Sequence, residues 1–217
     1  MDFELDLFLS SIPSLLRGAQ TTAVLAIASI FCGLLIGIVG GVCRISANPL
    51  LKYGALTYVT ILRGVPLLVM LMFLYYGLPS AGILLDPFTV SVLALSTVNG
   101  AYVTEIVRGG IESIDTGQMR AARSLGMSYS LAMRRIILPQ AMRRVLPPIT
   151  NESLTLLKNT ALVSTITLSD LLRSGLEIMT WQANTFSPFA GVALIYLLMT
   201  MPLVWLNSHF EKRYRMR

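Results

Sequence analysis

Residues 20–43 carry no charge, and that single run restricts the chain more than any other feature. At 1.5 Å of rise per residue, about 20 apolar residues cross the roughly 30 Å hydrocarbon core of a bilayer. Four further apolar stretches follow, at about 53–78, 88–108, 149–168 and 188–206. The 217 residues are 54% hydrophobic and 13% charged, with a mean hydropathy of +0.70, which is too apolar for an ordinary soluble domain around one core. The reading is an all-α membrane protein with five transmembrane helices in one domain, 1–217. Five crossings use roughly half the length, so only short connections remain.

The cations orient the spans. Assigning Arg44, Lys52, Arg108, six arginines of the central loop and four cations of the tail to the cytoplasm accounts for 13 of the 17 Lys and Arg. Arg17 and Arg173 fall outside. Five spans with the N-terminus out and the C-terminus in satisfy the positive-inside rule. The net charge of +6 and pI near 9.6 therefore serve topology. No soluble basic face with interleaved aromatics exists to hold nucleic acid. Residues 1–18 hold Asp2, Glu4 and Asp6 and lack the basic start of a cleavable signal, so they read as an acidic outer lead-in. Cys32 and Cys43, about 16 Å apart along one helix, cannot bridge each other. No His, Cys, Asp or Glu spacing suggests a metal.

Within the first span Gly33, Gly37 and Gly41 recur every fourth residue, leaving a face bare enough for another helix to approach closely. In the second, Arg63-Gly64-Val65-Pro66 should bend the helix where proline removes a hydrogen bond. Glu105 and Arg108 in the third are spaced for a local ion pair. The fourth is the most polar, with Asn151, Glu152, Lys158 and Asn159, and ionisable groups at that depth need a partner or a watery cavity. Residues 169–187, weakly amphipathic, suggest an outer helix lying on the membrane surface.

Between residues 117 and 148 lie six arginines and no acid. The segment reads as two short helices, the first capped by Thr116 and ended by Gly126, the second capped by Ser128 and stopped or kinked near Pro139. Ala121-Ala122, then Gly126, then Ile137-Leu138-Pro139 resembles the "EAA" loop of bacterial ABC-type importer permeases, with Arg120 in place of the motif's glutamate. The runs RGVPL, AYVTEIVRGGI and PPITNESLTLLKNTALVSTI resemble the polar amino-acid group of those permeases, the histidine/glutamine/glutamate/arginine type. That group often has an acid where Asn159 stands.

The resemblance implies the transmembrane subunit of an ATP-driven importer in the bacterial cytoplasmic (inner) membrane, moving a polar amino acid. It implies two ATPase subunits, which bind ATP and Mg, a second permease, identical or related, and an extracytoplasmic amino-acid-binding protein. It makes 117–139 the cytoplasmic coupling loop, with Arg120, Ala121, Ala122, Arg123, Gly126 and Ser128 at the ATPase; two alanines and a glycine permit close approach. The chain itself carries no cofactor. None of Lys52, Lys158 and Lys212 is followed by Ser or Thr as a phosphate loop requires, so it is no enzyme by that route. An ion-driven secondary transporter would need internal repeats, and none is legible. A purely structural subunit leaves the polar fourth span unexplained.

An amino acid presents an ammonium and a carboxylate. Asn151 and Lys158 are seven apart, as are Glu152 and Asn159, so all four are expected within a limited arc. Glu152 is the candidate for the ammonium. Asn99 and Asn159 would support it by hydrogen bonds, and Lys158 would meet the carboxylate.

Overall fold

The computed structural model describes residues 3–214. Every regular element among them is helical: α1 Leu5–Arg44, α2 Pro49–Gly64, α3 Leu67–Met72, α4 Pro87–Glu112, α5 Thr116–Ser124, α6 Tyr129–Ala132, α7 Leu138–Asn159, α8 Leu171–Gln182 and α9 Phe186–Tyr214. Three of them, α1, α4 and α9, are long and apolar enough to cross a membrane, and the bent run from α2 through Ala81 makes a fourth. The polar 149–168 stretch does not qualify by composition. It divides into the second half of α7 and a 3-10 turn, Thr160–Ile166.

With 40 residues, α1 is about 60 Å long, twice the hydrocarbon core, so the lead-in from Leu5 onward and the first span form one continuous helix, while Met1 and Asp2 lie outside the described residues. Its small residues receive α4. A Cβ added at Gly33 would strike Asn99, one at Gly37 would strike Val103, and one at Gly41 would strike Val107. In a bilayer lipid tails are as apolar as leucine, so this close van der Waals fit, rather than escape from water, holds the pair together. The same fit fixes the height of Asn99 against α1. Leu25, Leu71, Leu95, Leu156 and Ile166 complete a core shared by α1, α3, α4, α7 and the 3-10 turn.

Asn48 caps α2 by accepting from the Leu50 amide at 2.9 Å, and Pro49 fits the first turn, where no N–H is needed. The helix ends at Gly64 because Pro66 lacks a donor and forces Val65 into extended backbone. The chain turns by 98° there, sharper than a bend within one helix. The Tyr58 hydroxyl donates to the Thr97 carbonyl and ties α2 to α4. Asp86 caps α4, and the Thr89 hydroxyl and amide hold its carboxyl below the ordinary range.

At the far end of α4, Glu105 does more than pair locally. Its carboxylate accepts from Arg108 at 2.7 Å and from Arg44 at 3.0 Å, clamping the last turn of α1 to α4. Asp115, one residue earlier than Thr116, caps α5 by accepting from the Gly117 amide. Gly126 closes α5 as expected, with φ +82°, the Met127 amide donating to the Ala122 carbonyl. Ser128 caps α6, accepting from the Leu131 amide. Pro139 does not stop the chain. A π turn over Met133–Ile137 widens the helix just ahead of it and absorbs the missing donor, so α6 passes into α7 without a loop. Cys32 and Cys43 are both free.

Candidate substrate site and coupling surface

α4 and α7 face each other across a cavity of about 200 Å³ lined by Asn99, Tyr102, Glu152, Thr155 and Asn159, with Leu67 and Leu95 as apolar walls. It is smaller than the roughly 300 Å³ at which drug-sized sites begin, a scale suited to one small metabolite. Asn99 is 4% exposed, and its Nδ2 donates to Glu152 Oε1 at 3.3 Å. The second carboxylate oxygen of Glu152 accepts nothing among the described residues. Thr155 and Asn159 follow Glu152 by three and seven positions and so share its face of α7, while Tyr102 follows Asn99 by three on α4.

Arg63 supplies the cation at this place. Its guanidinium carbon lies 5.0 Å from the centre of the Tyr102 ring, within the range of a cation–π contact. Arg63 stands in the last turn of α2, the helix that the Tyr58–Thr97 hydrogen bond ties to α4. Arg63, Tyr102 and Thr155 join the site beyond the residues expected from the sequence, and Tyr102 and Thr155 each follow an expected residue by three positions on the same helix.

Lys158 and Asn151 lie elsewhere. Both are exposed, and Lys158 lines a second cavity of about 380 Å³ with Tyr196 and Thr200 of α9. Residues seven apart share a helix face, so each sequence pair stays together. Adjacent residues are about 100° apart, however, and that step turns Asn151 and Lys158 out of the arc that holds Glu152 and Asn159.

The turn between α5 and α6 is largely exposed. Arg120, Ala121, Arg123, Gly126 and Ser128 are exposed there, and Leu125 is 84% exposed. Arg123 donates to the Met127 carbonyl and stiffens the turn. Ala122, at 4% exposure, faces inward and packs the loop against its own chain instead of offering a surface. The apolar point of the turn is Leu125, with Tyr129 beside it.

An apolar helical scaffold, a polar pocket at its middle and a rigid basic turn outside it are matched by one family model, the binding-protein-dependent transport system inner membrane component, over residues 29–216. The chain belongs to that family. It is thus a permease subunit of the bacterial inner membrane, working in ATP-driven import with ATP hydrolysed by a partner subunit. Among its relatives is the glutamine transport system permease protein GlnP of Escherichia coli (strain K12), 34% identical over 215 residues and covering 98% of each chain. The arginine transport system permease protein ArtQ of Bacillus subtilis (strain 168) is 36% identical over 214 residues, again 98% of each. A crystal structure of an amino acid ABC transporter with histidines superposes with a TM-score of 0.92 at 37% identity, covering 98% of this permease and all of that chain. An inward-facing MetNI methionine ABC transporter shares the fold, with a TM-score of 0.75 at 20% identity over 94% of this chain and 97% of its own.

Proposed function

We propose that this permease moves a polar amino acid inward, holding its ammonium at Glu152 and its carboxylate toward Arg63. The observation that carries the reading is the Asn99–Glu152 hydrogen bond, which aims one carboxylate oxygen and leaves the other available, with Arg63 over the Tyr102 wall of the same cavity. A carboxylate in the cavity and a guanidinium over its Tyr102 wall match a zwitterion. Asn159 and Thr155 remain as neutral partners for a side chain, and glutamine and arginine permeases among the relatives agree with that chemistry. Lys158 takes a different role. An exposed ammonium in the last turn of α7, just ahead of the 3-10 turn, is costly against lipid, so the α7 face bearing Asn151 and Lys158 abuts the second permease and the watery route between the two copies.

The remaining parts follow the same reading. The five crossings are α1, the bent α2–α3 unit, α4, α7 with its 3-10 turn, and α9, with the N-terminus out and the C-terminus in. Within 169–187, α8 is the outer surface helix, and the last two residues of that stretch already belong to α9. Two ATPase subunits bind ATP and Mg and receive the turn at Arg120, Ala121, Arg123 and Leu125, and an extracytoplasmic binding protein delivers the amino acid. Because α6 runs into α7 without a loop, ATPase closure that displaces 117–139 also displaces the helix carrying Glu152. Uptake by the complete importer in proteoliposomes tests the proposal. ATP inside the vesicles should drive uptake of polar amino acids with a protonophore present, and uptake restricted to apolar solutes would overturn the assignment.

A further inference from the structure

A third cavity, of about 490 Å³, lies between α4, the first half of α7 and the end of α9, and neither the substrate pocket nor the coupling turn uses it. Its lining has two chemistries. Ile106 and Gly109 of α4, with Pro147 and Pro148 of α7, form an apolar wall, while Arg143 and Arg144 stand one turn nearer the start of α7 and Tyr214 closes the α9 side. Glu105 also borders the cavity, but Arg44 and Arg108 already hold its two oxygens, and Arg108 pairs with Glu112 as well. Those four charges balance. Arg143 and Arg144 are therefore in excess. Arg144 donates to the Ser113 carbonyl, and the exposed Arg143 has no partner among the described residues. Lys212 and Arg213, beside Tyr214 in the last turn of α9, add to the positive field.

We propose that this cavity binds an anionic phospholipid, its phosphodiester held by Arg143 and Arg144 and the start of its acyl chains lying on Ile106, Pro147 and Pro148. A guanidinium fork matches phosphate oxygens in two parallel hydrogen bonds, and basic recesses between membrane helices are suited to anionic headgroups. Free phosphate would satisfy the arginines and leave the apolar wall bare. A zwitterionic lipid would cover the wall and bring its own cation against the arginines. Only an anionic amphiphile answers both. The site would link lipid composition to the junction of α4 and α7, the two helices that carry Asn99 and Glu152.

The complete importer, permeases with their ATPases, is placed in nanodiscs of phosphatidylcholine with or without phosphatidylglycerol, and native mass spectrometry counts the lipid retained. Both leaflets carry the same mixture, so the result does not depend on which way the chain is oriented. The wild type should retain phosphatidylglycerol in preference to phosphatidylcholine. Arg143→Gln should lower that preference about fivefold, Arg143→Gln with Arg144→Gln further, and Arg143→Lys least. Should the double variant fail to fold, Arg143→Gln alone carries the test, because its side chain has no partner within the chain to lose. Equal preference in wild type and Arg143→Gln would overturn the site. Displacement of phosphatidylglycerol by millimolar inorganic phosphate would reassign it to the free ion. Retention by the isolated permease but not by the complete importer would show the cavity covered by a subunit, and that too would overturn the proposal.

Discussion

Asn99 and Glu152, 53 residues apart in the chain, meet at 3.3 Å in the middle of the molecule. The amide spends a donor on the carboxylate and so fixes which oxygen remains for a ligand. Gly33 of α1 backs the amide on the other side, so its position is set by packing as well as by the hydrogen bond. Asn99→Ala should therefore weaken substrate without dismantling the fold. A hydrogen bond to a charged group is worth about 1.5–3 kcal/mol, so uptake measured against substrate concentration should show apparent affinity falling on the order of tenfold or more. Unchanged affinity would remove Asn99 from the site.

The glycine stripe of α1 is a packing device. Gly37→Leu would drive a side chain into Val103, and overpacking a close helix pair costs about 1–3 kcal/mol or more. Less folded complex in mild detergent and an earlier thermal transition are expected. Gly54→Ala is the comparison, because a Cβ there meets nothing within 4 Å and alanine favours the helix.

On the coupling turn, Leu125 and Ala122 should separate cleanly. Leu125→Asp changes an exposed side chain, so the permease should fold normally while substrate-stimulated ATP hydrolysis falls by tenfold or so, roughly what one lost apolar anchor costs at an interface. Ala122→Trp forces a large ring into a buried position and should lower the yield of folded permease itself. Normal coupling in the Leu125 variant would place the ATPase contact elsewhere.

Lys158 tests where α7 meets the second copy. In a chain with Cys32 and Cys43 replaced by alanine, Lys158→Cys should react with a water-soluble thiol reagent in the assembled importer and be protected when substrate or closure occludes the route. Absence of labelling in every state would mean that the face sees lipid.

Elements governed by local chemistry were legible in the sequence. Apolar runs gave the helices, Gly126 and Ser128 gave the boundary between α5 and α6, and the four-residue glycine repeat gave the α1 contact face. What the sequence withheld depended on small angles and on neighbours. One residue of helix rotation separates Asn151 and Lys158 from the pocket, and no periodicity argument on one helix says which arc meets α4. Arg63 reaches Tyr102 from a third helix, α2, a neighbour that no spacing within α4 or α7 reveals. Ala122 looks like a docking residue by type, and only the packing of the loop turns it inward.

Glu152→Gln isolates the charge at the centre of the proposal. Glutamine keeps the shape and can still accept from Asn99 through its carbonyl, so the fold and the route should survive. It presents a neutral group to the substrate ammonium, however, and its own NH₂ cannot accept from it. The variant should therefore assemble, respond to the ATPase and unfold at nearly the wild-type temperature, while apparent affinity for the amino acid drops by roughly ten- to a hundredfold, the range expected when a charge-assisted hydrogen bond is lost from a partly desolvated pocket. Arg63→Gln should weaken the same substrates, and a derivative with its carboxylate amidated should be insensitive to that change while remaining sensitive at Glu152. If Glu152→Gln hydrolyses ATP normally and moves substrate with unchanged affinity and rate, the ammonium is held elsewhere and Glu152 is only a structural partner of Asn99.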